Sequence, residues 1–109
     1  MKTEQPILIT SIKAAVDIPK NIFVSITGNI SDGTNLPIGV SNDSAIAGDM
    51  TPVAVNGIAL VQTGATPVTA LTPVSSDANG LAIPSTDASL TRGIALDDGT
   101  ESIIRVLLR

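Results

Sequence analysis

The sequence predicts an all-β protein, a small single-domain sandwich or barrel of short strands with at most one or two helical turns. Three observations lead to this prediction. β-Branched residues are abundant, with 14 Ile and 9 Val among 109 residues, and they pack well on pleated sheets. Seven Pro and nine Gly interrupt the chain so often that long helices are excluded. The apolar runs between them are short, as in sandwiches and barrels.

The first half of the chain contains four candidate strands, at residues 7–12, 21–27, 36–40 and 50–55. The second of these places Ile22, Val24 and Ile26 at every other position, which is the period of a half-buried strand. Residues 31–35 contain Asp-Gly and are typical of a turn.

Turn signals predict three hairpins in the remaining chain. The strongest is Asn56-Gly57 between residues 50–55 and 58–62, because Asn-Gly accepts the positive φ that both central positions of a type I′ turn require. The other two hairpins join residues 67–74 to 81–83 and residues 93–96 to 102–108. Residues 45–47 and 86–90 are the segments that favour a helical turn.

The composition excludes several kinds of chemistry. The chain has no His, Cys, Trp or Tyr, and Phe23 is its single aromatic residue. It therefore has no thiol nucleophile, disulfide or Cys/His zinc site, and no aromatic platform for sugars or single-stranded nucleic acid. We expect no enzyme activity, no cofactor and no metal site.

The charge distribution argues against nucleic acid as a partner. Six basic and ten acidic residues give a net charge of −4, and residues 21–91 contain five Asp but no Lys or Arg. A surface that neutralises phosphates needs a cationic face. No apolar run approaches the roughly 20 residues of a membrane helix, and the run at residues 7–9 is too short for a signal peptide. We therefore expect synthesis in the cytoplasm and no membrane partner.

Two groups of acids could carry chemistry. Asp97 and Asp98 with Glu101 could form a calcium loop, but they lack the alternating acids of an EF-hand, and a solvated hairpin turn is the favoured interpretation. Asp43 and Asp49 could form a pair of catalytic carboxylates, but turn formation by short acids explains them better.

Three segments resemble a known family. Residues 47–59 (AGDMTPVAVNGIA), residues 71–80 (LTPVSSDANG) and the closing residues 92–99 (RGIALDDG) followed by 104–108 (IRVLL) are similar, in this order, to motifs of small bacteriophage capsid decoration proteins, also called capsid cement or head-stabilising proteins. The resemblance covers about residues 36–109.

This resemblance implies a compact β-barrel or β-tulip-like domain that binds the outside of a phage head. It implies the major capsid protein as the partner, a homotrimer as the usual assembly and the outer capsid surface of the virion as the location. It implies neither enzyme activity nor a cofactor.

The N-terminal segment is the candidate capsid contact. We divide the chain into residues 1–20, an arm or first strand, and residues 21–109, the compact β domain. The stretch from Thr3 to Asp17 combines an extended bias set by Pro6 with apolar side chains that could join an exposed edge of the shell protein. The candidate contact residues are Ile7, Leu8, Ile9 and Ile12. An ordinary first strand of the domain core is the equally weighted alternative.

Two other functional classes remain open at this point. The chain could be another virion module, such as a tail or fibre domain, or an adhesion-type β-sandwich. An enzyme or small-ligand carrier is the third class, and it would require a deep pocket with converging polar groups.

Overall fold

The computed structural model describes residues 4–108, apart from the side chain of Ile7. Within this range it contains one 3-10 turn, Ala88–Leu90, and eight strands: β1 Gln5–Lys13, β2 Phe23–Val24, β3 Gly39–Ser41, β4 Met50–Gln62, β5 Pro73–Ser76, β6 Ala82–Pro84, β7 Gly93–Ala95 and β8 Ile103–Leu108. The prediction of an all-β chain with minimal helix is therefore confirmed. No helix among these residues is long and apolar enough to span a membrane.

One sheet contains all eight strands and curls into a nearly closed barrel. Its order is β2-β3-β4-β8-β7-β5-β6, and β1 pairs with the opposite edge of β4. The two ends of this order come back together, because the backbone N–H of Phe23 in β2 donates to the carbonyl of Gly80, which lies in the turn before β6. A parallel bridge between Thr63 and Ala82 also joins the end of β4 to β6.

The hairpin predicted at Asn56-Gly57 is wrong, because β4 runs straight through these two residues. Gly57 does have a positive φ of 95°, but Asn56 is not among the residues with positive φ, and a type I′ turn needs both. A single left-handed glycine gives a bulge rather than a reversal. Tertiary pairing explains the outcome, since β1 and β3 pair with the first half of β4 and β8 pairs with the second half.

The other two hairpins are confirmed, but β5 begins at Pro73, so the strand predicted at residues 67–74 is wrong over residues 67–72. Strand β5 pairs antiparallel with β6, and β7 pairs antiparallel with β8. Among the smaller expectations, residues 86–90 contain the 3-10 turn, whereas residues 45–47 are not helical, since Ala45 forms a bridge with Ile18.

The alternation predicted for residues 21–27 is also wrong. Only Phe23 and Val24 form a strand, Ile22, Phe23 and Val24 are all buried, and Ile26 is exposed. These residues lie where the sheet closes on itself, so both faces of β2 are covered. Phe23 belongs to the main core together with Val40, Ala54 and nine other buried aliphatic residues.

The guanidinium of Arg92 lies at the junction where β4 changes neighbours. On one edge, β4 pairs with β3 up to Ala54 and with β8 from Gly57 onward. Between these points Val55 has no partner in the ladder with β1. The side chain of Arg92, which is buried, donates to the carbonyl oxygens of Val55, Pro37 (3.1 Å) and Ile38 (2.9 Å). The side chain of Arg92 thus links the two residues that precede β3 with the centre of β4.

Replacement of Arg92 tests this junction. We expect Arg92→Met to lower the free energy of unfolding by about 2–4 kcal/mol, because the buried carbonyl of Pro37 and the partly buried carbonyls of Ile38 and Val55 lose their donor. Chemical denaturation followed by far-UV circular dichroism measures this change. Arg105→Met is the matched control, because its guanidinium is half-exposed, and it should cost clearly less. Equal losses for the two variants would contradict the assignment.

Candidate binding edge on the first strand

Strand β1 is an edge strand. It pairs with β4 from Gln5 opposite Ile58 to Lys13 opposite Met50. Within residues 4–108 no other strand pairs with β1, so one row of its backbone N–H and C=O groups is available to a further strand.

Pro52 reveals which backbone groups point to this free edge. Its carbonyl accepts from the N–H of Asn42, on the β3 side of β4, so Pro52 does not bond to its opposite residue Ser11. In an antiparallel ladder bonded and non-bonded pairs alternate. Thr10 and Ile12 therefore bond to β4, and the backbone groups of Ile9 and Ser11 point away from it. The bond from Ala14 N–H to the Asp49 carbonyl continues the same alternation.

The end of the free edge near Lys13 is covered by a turn at residues 25–29. The N–H of Ala15 donates to the carbonyl of Gly28 (2.9 Å), and a side chain at Gly28 would overlap the carbonyl of Lys13. This close approach requires glycine, whose φ here is 88°. The accessible part of the edge is therefore centred on Ile9 and Ser11.

A pair of compensating bulges lies at the other end. Ile7 in β1 and Val55 in β4 have no partner in this ladder, and beyond them the two strands return to the same register. Bulges twist a strand and re-aim its side chains. Leu8, which follows the first bulge, is 53% exposed, and Ile9 is 45% exposed.

The predicted contact residues do not form one continuous patch. Side chains alternate along a strand, so Ile9 lies on one face of β1, and Leu8 and Ile12 lie on the other. Ile12 is half-buried opposite Thr51. Thr3 and the side chain of Ile7 lie outside the described part of the structure. Apolar side chains on both faces of an accessible edge suit the addition of a strand better than contact through one flat face.

Ser11 is the residue that sequence reasoning missed. Its outward backbone makes it a member of the candidate site, while its side chain carries no signal. Pro52 offered a usable signal for the direction of the strand backbone. Proline has no N–H, so within a strand it must lie where its nitrogen is not needed for a ladder hydrogen bond.

Three of the five candidate acids, Asp43, Asp97 and Asp98, accept hydrogen bonds in turns or from Arg105. Asp97 accepts from Nε and Nη2 of Arg105, both at 3.0 Å, and this contact raises the pKa of the Arg105 guanidinium. Asp98 accepts from the N–H of Ala70 at 2.6 Å. Asp43 accepts from the N–H of Ser44. Across residues 4–108 there is no group of three acids placed to hold a metal ion, and no pocket.

Comparison with known proteins gives a family and a fold. The family described as "Phage cement protein" matches residues 1–109, which includes the first 35 residues outside the motif resemblance. No curated protein matches the sequence. A solved structure, the N base of the head fiber gp8.5 of bacteriophage phi29, superposes with a TM-score of 0.70 at 16% identity, covering 94% of this chain and 93% of the other. This likeness shows that the two chains share a fold.

The pH dependence of stability tests the hydrogen bonds of two carboxylates in turns. Hydrogen bonds from Thr34 lower the pKa of Asp32, and hydrogen bonds from Ser89 lower the pKa of Asp87, both from an ordinary value of 3.8. A carboxylate with a lowered pKa in the folded state stabilises the fold above the unfolded pKa, and this stabilisation disappears as the pH falls through the folded pKa. We expect the double variant Asp32→Asn/Asp87→Asn to lose less stability than the wild type between pH 5 and pH 3. Urea denaturation across this range measures it, and equally steep losses would refute the assignment.

Proposed function

The chain belongs to the phage cement protein family, whose members are structural components of virions, and on this premise we propose that it binds the outer surface of a mature phage head and stabilises it. We propose that it does so without enzymatic activity, as a decoration protein. Its partner is the major capsid protein. The observation that carries the mode of attachment is the accessible edge of β1.

Attachment through β1 occurs by strand addition. A segment of the shell protein pairs with the outward N–H and C=O groups of Ile9 and Ser11, and Leu8 and Ile9 contact the shell on the two faces of the new ladder. The half-exposed state of these two side chains supports this role, because both leave apolar surface for a partner to cover. Ile12 and Ile7 complete the proposed contact.

Many weak contacts are enough to hold such a protein on a shell. A shell presents the same site at many symmetric positions, and copies linked in a homotrimer bind with the avidity of several contacts at once. The net charge of −4 suits the outer surface of the shell and disfavours the DNA-filled interior. We propose synthesis in the host cytoplasm before assembly onto the head.

A second candidate is the base of a head fibre. The fold is shared with the N base of a head fiber, which makes a fibre base the alternative role. The two candidates predict different effects on empty expanded heads. A decoration protein raises the temperature at which heads disrupt, whereas a fibre base binds without raising it. Scanning calorimetry of heads with and without saturating protein separates the two.

The substitution Ser11→Pro tests attachment through β1. It removes an outward N–H without removing a β1–β4 bond, so the domain keeps its fold while the edge is blocked. We expect affinity for expanded heads to fall by about tenfold or more, which corresponds to about 1.4 kcal/mol. Co-sedimentation with heads over a range of protein concentrations measures this affinity.

Two matched variants complete the experiment. Ser11→Ala keeps the N–H and should bind as the wild type does. Thr10→Pro removes a bond within the β1–β4 ladder and should lower the melting temperature instead. If Ser11→Pro is folded and binds heads with wild-type affinity, attachment through this edge is wrong.

A further inference from the structure

Asn-Gly occurs twice in the chain, at Asn56-Gly57 and at Asn79-Gly80. An asparagine before glycine is chemically labile, because glycine has no side chain to hinder attack of its amide nitrogen on the asparagine side chain. The attack closes a five-membered succinimide ring, and the peptide between the two residues must rotate until the nitrogen and the side-chain carbon meet. The fold therefore decides which of the two asparagines reacts.

Asn56-Gly57 is held in the middle of the sheet. Gly57 lies opposite Pro6 of β1 on one edge of β4 and opposite Leu108 of β8 on the other. Asn56 itself is exposed, and its Oδ1 accepts from the N–H of Gly57 at 2.8 Å. This hydrogen bond directs the proton, not the nitrogen lone pair, at the side chain. Rotation of the peptide would also break the pairing of β4 with its neighbours, which costs free energy.

Asn79-Gly80 lies in the turn between β5 and β6. The ladder of these two strands ends at Ser76 opposite Ala82, so the peptide between Asn79 and Gly80 can rotate without breaking a ladder bond. The N–H of Gly80 donates to the Asp77 carbonyl at 3.3 Å, which is long for an N–H···O bond. The side chain of Asn79 is exposed, and in the described part of the chain its amide group takes part in no hydrogen bond.

We propose that Asn79 is a site of spontaneous deamidation, and that Asn56 is protected from it by the sheet. The Gly80 nitrogen loses its proton to hydroxide and forms a bond to Cγ of Asn79, and Nδ2 leaves as ammonia. Water then opens the ring at either of its two carbonyls. One product is an ordinary aspartate at position 79. The other is isoaspartate, in which the main chain runs through Cβ and is longer by one methylene.

The isoaspartate product affects the seam of the barrel. The carbonyl of Gly80 accepts from the N–H of Phe23 at 2.8 Å, and this bond joins the turn before β6 to β2. Gly80 is tightly packed, because a Cβ added to it would lie 2.9 Å from Cγ2 of Ile30 and 2.9 Å from the carbonyl oxygen of Phe23. A methylene inserted directly before Gly80 displaces it from this position. Ageing at Asn79 therefore weakens the closure of the barrel.

Incubation of the folded protein in mildly alkaline buffer tests the assignment. Acid-quenched pepsin digestion and mass spectrometry follow both Asn-Gly peptides in the same sample, so that each is the matched control of the other. We expect Asn79 to deamidate about tenfold or more faster than Asn56. In denaturing urea the two rates should become similar, because both sites are then unstructured Asn-Gly sequences. Asn56 reacting as fast as Asn79 in the folded protein would overturn the proposal, and so would a rate difference that persists in urea.

The melting temperature tests the effect on the seam. The isoaspartate form is isolated by chromatography and identified by its fragmentation in the mass spectrometer. It is compared with Asn79→Asp, which carries the same charge without the added methylene. We expect the isoaspartate form to melt below the wild type and Asn79→Asp to melt close to it. Equal melting of the isoaspartate form and the wild type would contradict the effect on the seam. Neither experiment contains phage heads, so both outcomes are independent of the proposed function.

Discussion

The contact between the guanidinium of Arg92 and the centre of β4 is the constraint on which the rest of the sheet depends. In β4, Val55 lies between the residues that pair with β3 and those that pair with β8. A bulge also interrupts the ladder with β1 at this residue. Carbonyl groups that are buried or partly buried at such a point need donors. The planar fork of an arginine reaches Pro37, Ile38 and Val55 together, which the single ammonium of a lysine would not do with the same geometry. Burial lowers the pKa of this guanidinium.

A continuous β4 determines how β1 is presented. Because one edge of β4 is used by β3 and β8, only the opposite edge is left for β1, and β1 becomes the border of the sheet. Open borders are a liability for most proteins because they pair with other chains. For the proposed attachment to a shell the same property is useful, because a strand of the partner can pair with the open edge. The bulges and the turn at residues 25–29 limit the accessible part of the border to a short segment, which restricts unspecific pairing.

The sequence predicted the all-β class, two hairpins and the extended N-terminal segment correctly, because these depend on local turn residues and β-branched content. It failed at Asn56-Gly57, where the local preference for a turn was overridden by three partner strands. It also failed at residues 21–27, where closure of the barrel buries both faces of a very short strand. The role of Arg92 had no local signal, since its acceptors lie 37 to 55 residues away in the chain. The four predicted contact residues remain a prediction. Which backbone groups of β1 point outward depends on its register with β4, and neither composition nor periodicity reveals that register.

Amide hydrogen exchange, read residue by residue in free protein and in protein bound to expanded heads, tests the central claim most directly. In the free protein the amides of Thr10 and Ile12 should exchange slowly, because they bond to β4, and those of Ile9 and Ser11 should exchange fast. On binding to heads, Ile9 and Ser11 should become protected while Thr10 and Ile12 stay as they were. If Ile9 and Ser11 still exchange fast in fully decorated heads, the shell does not pair with the edge of β1.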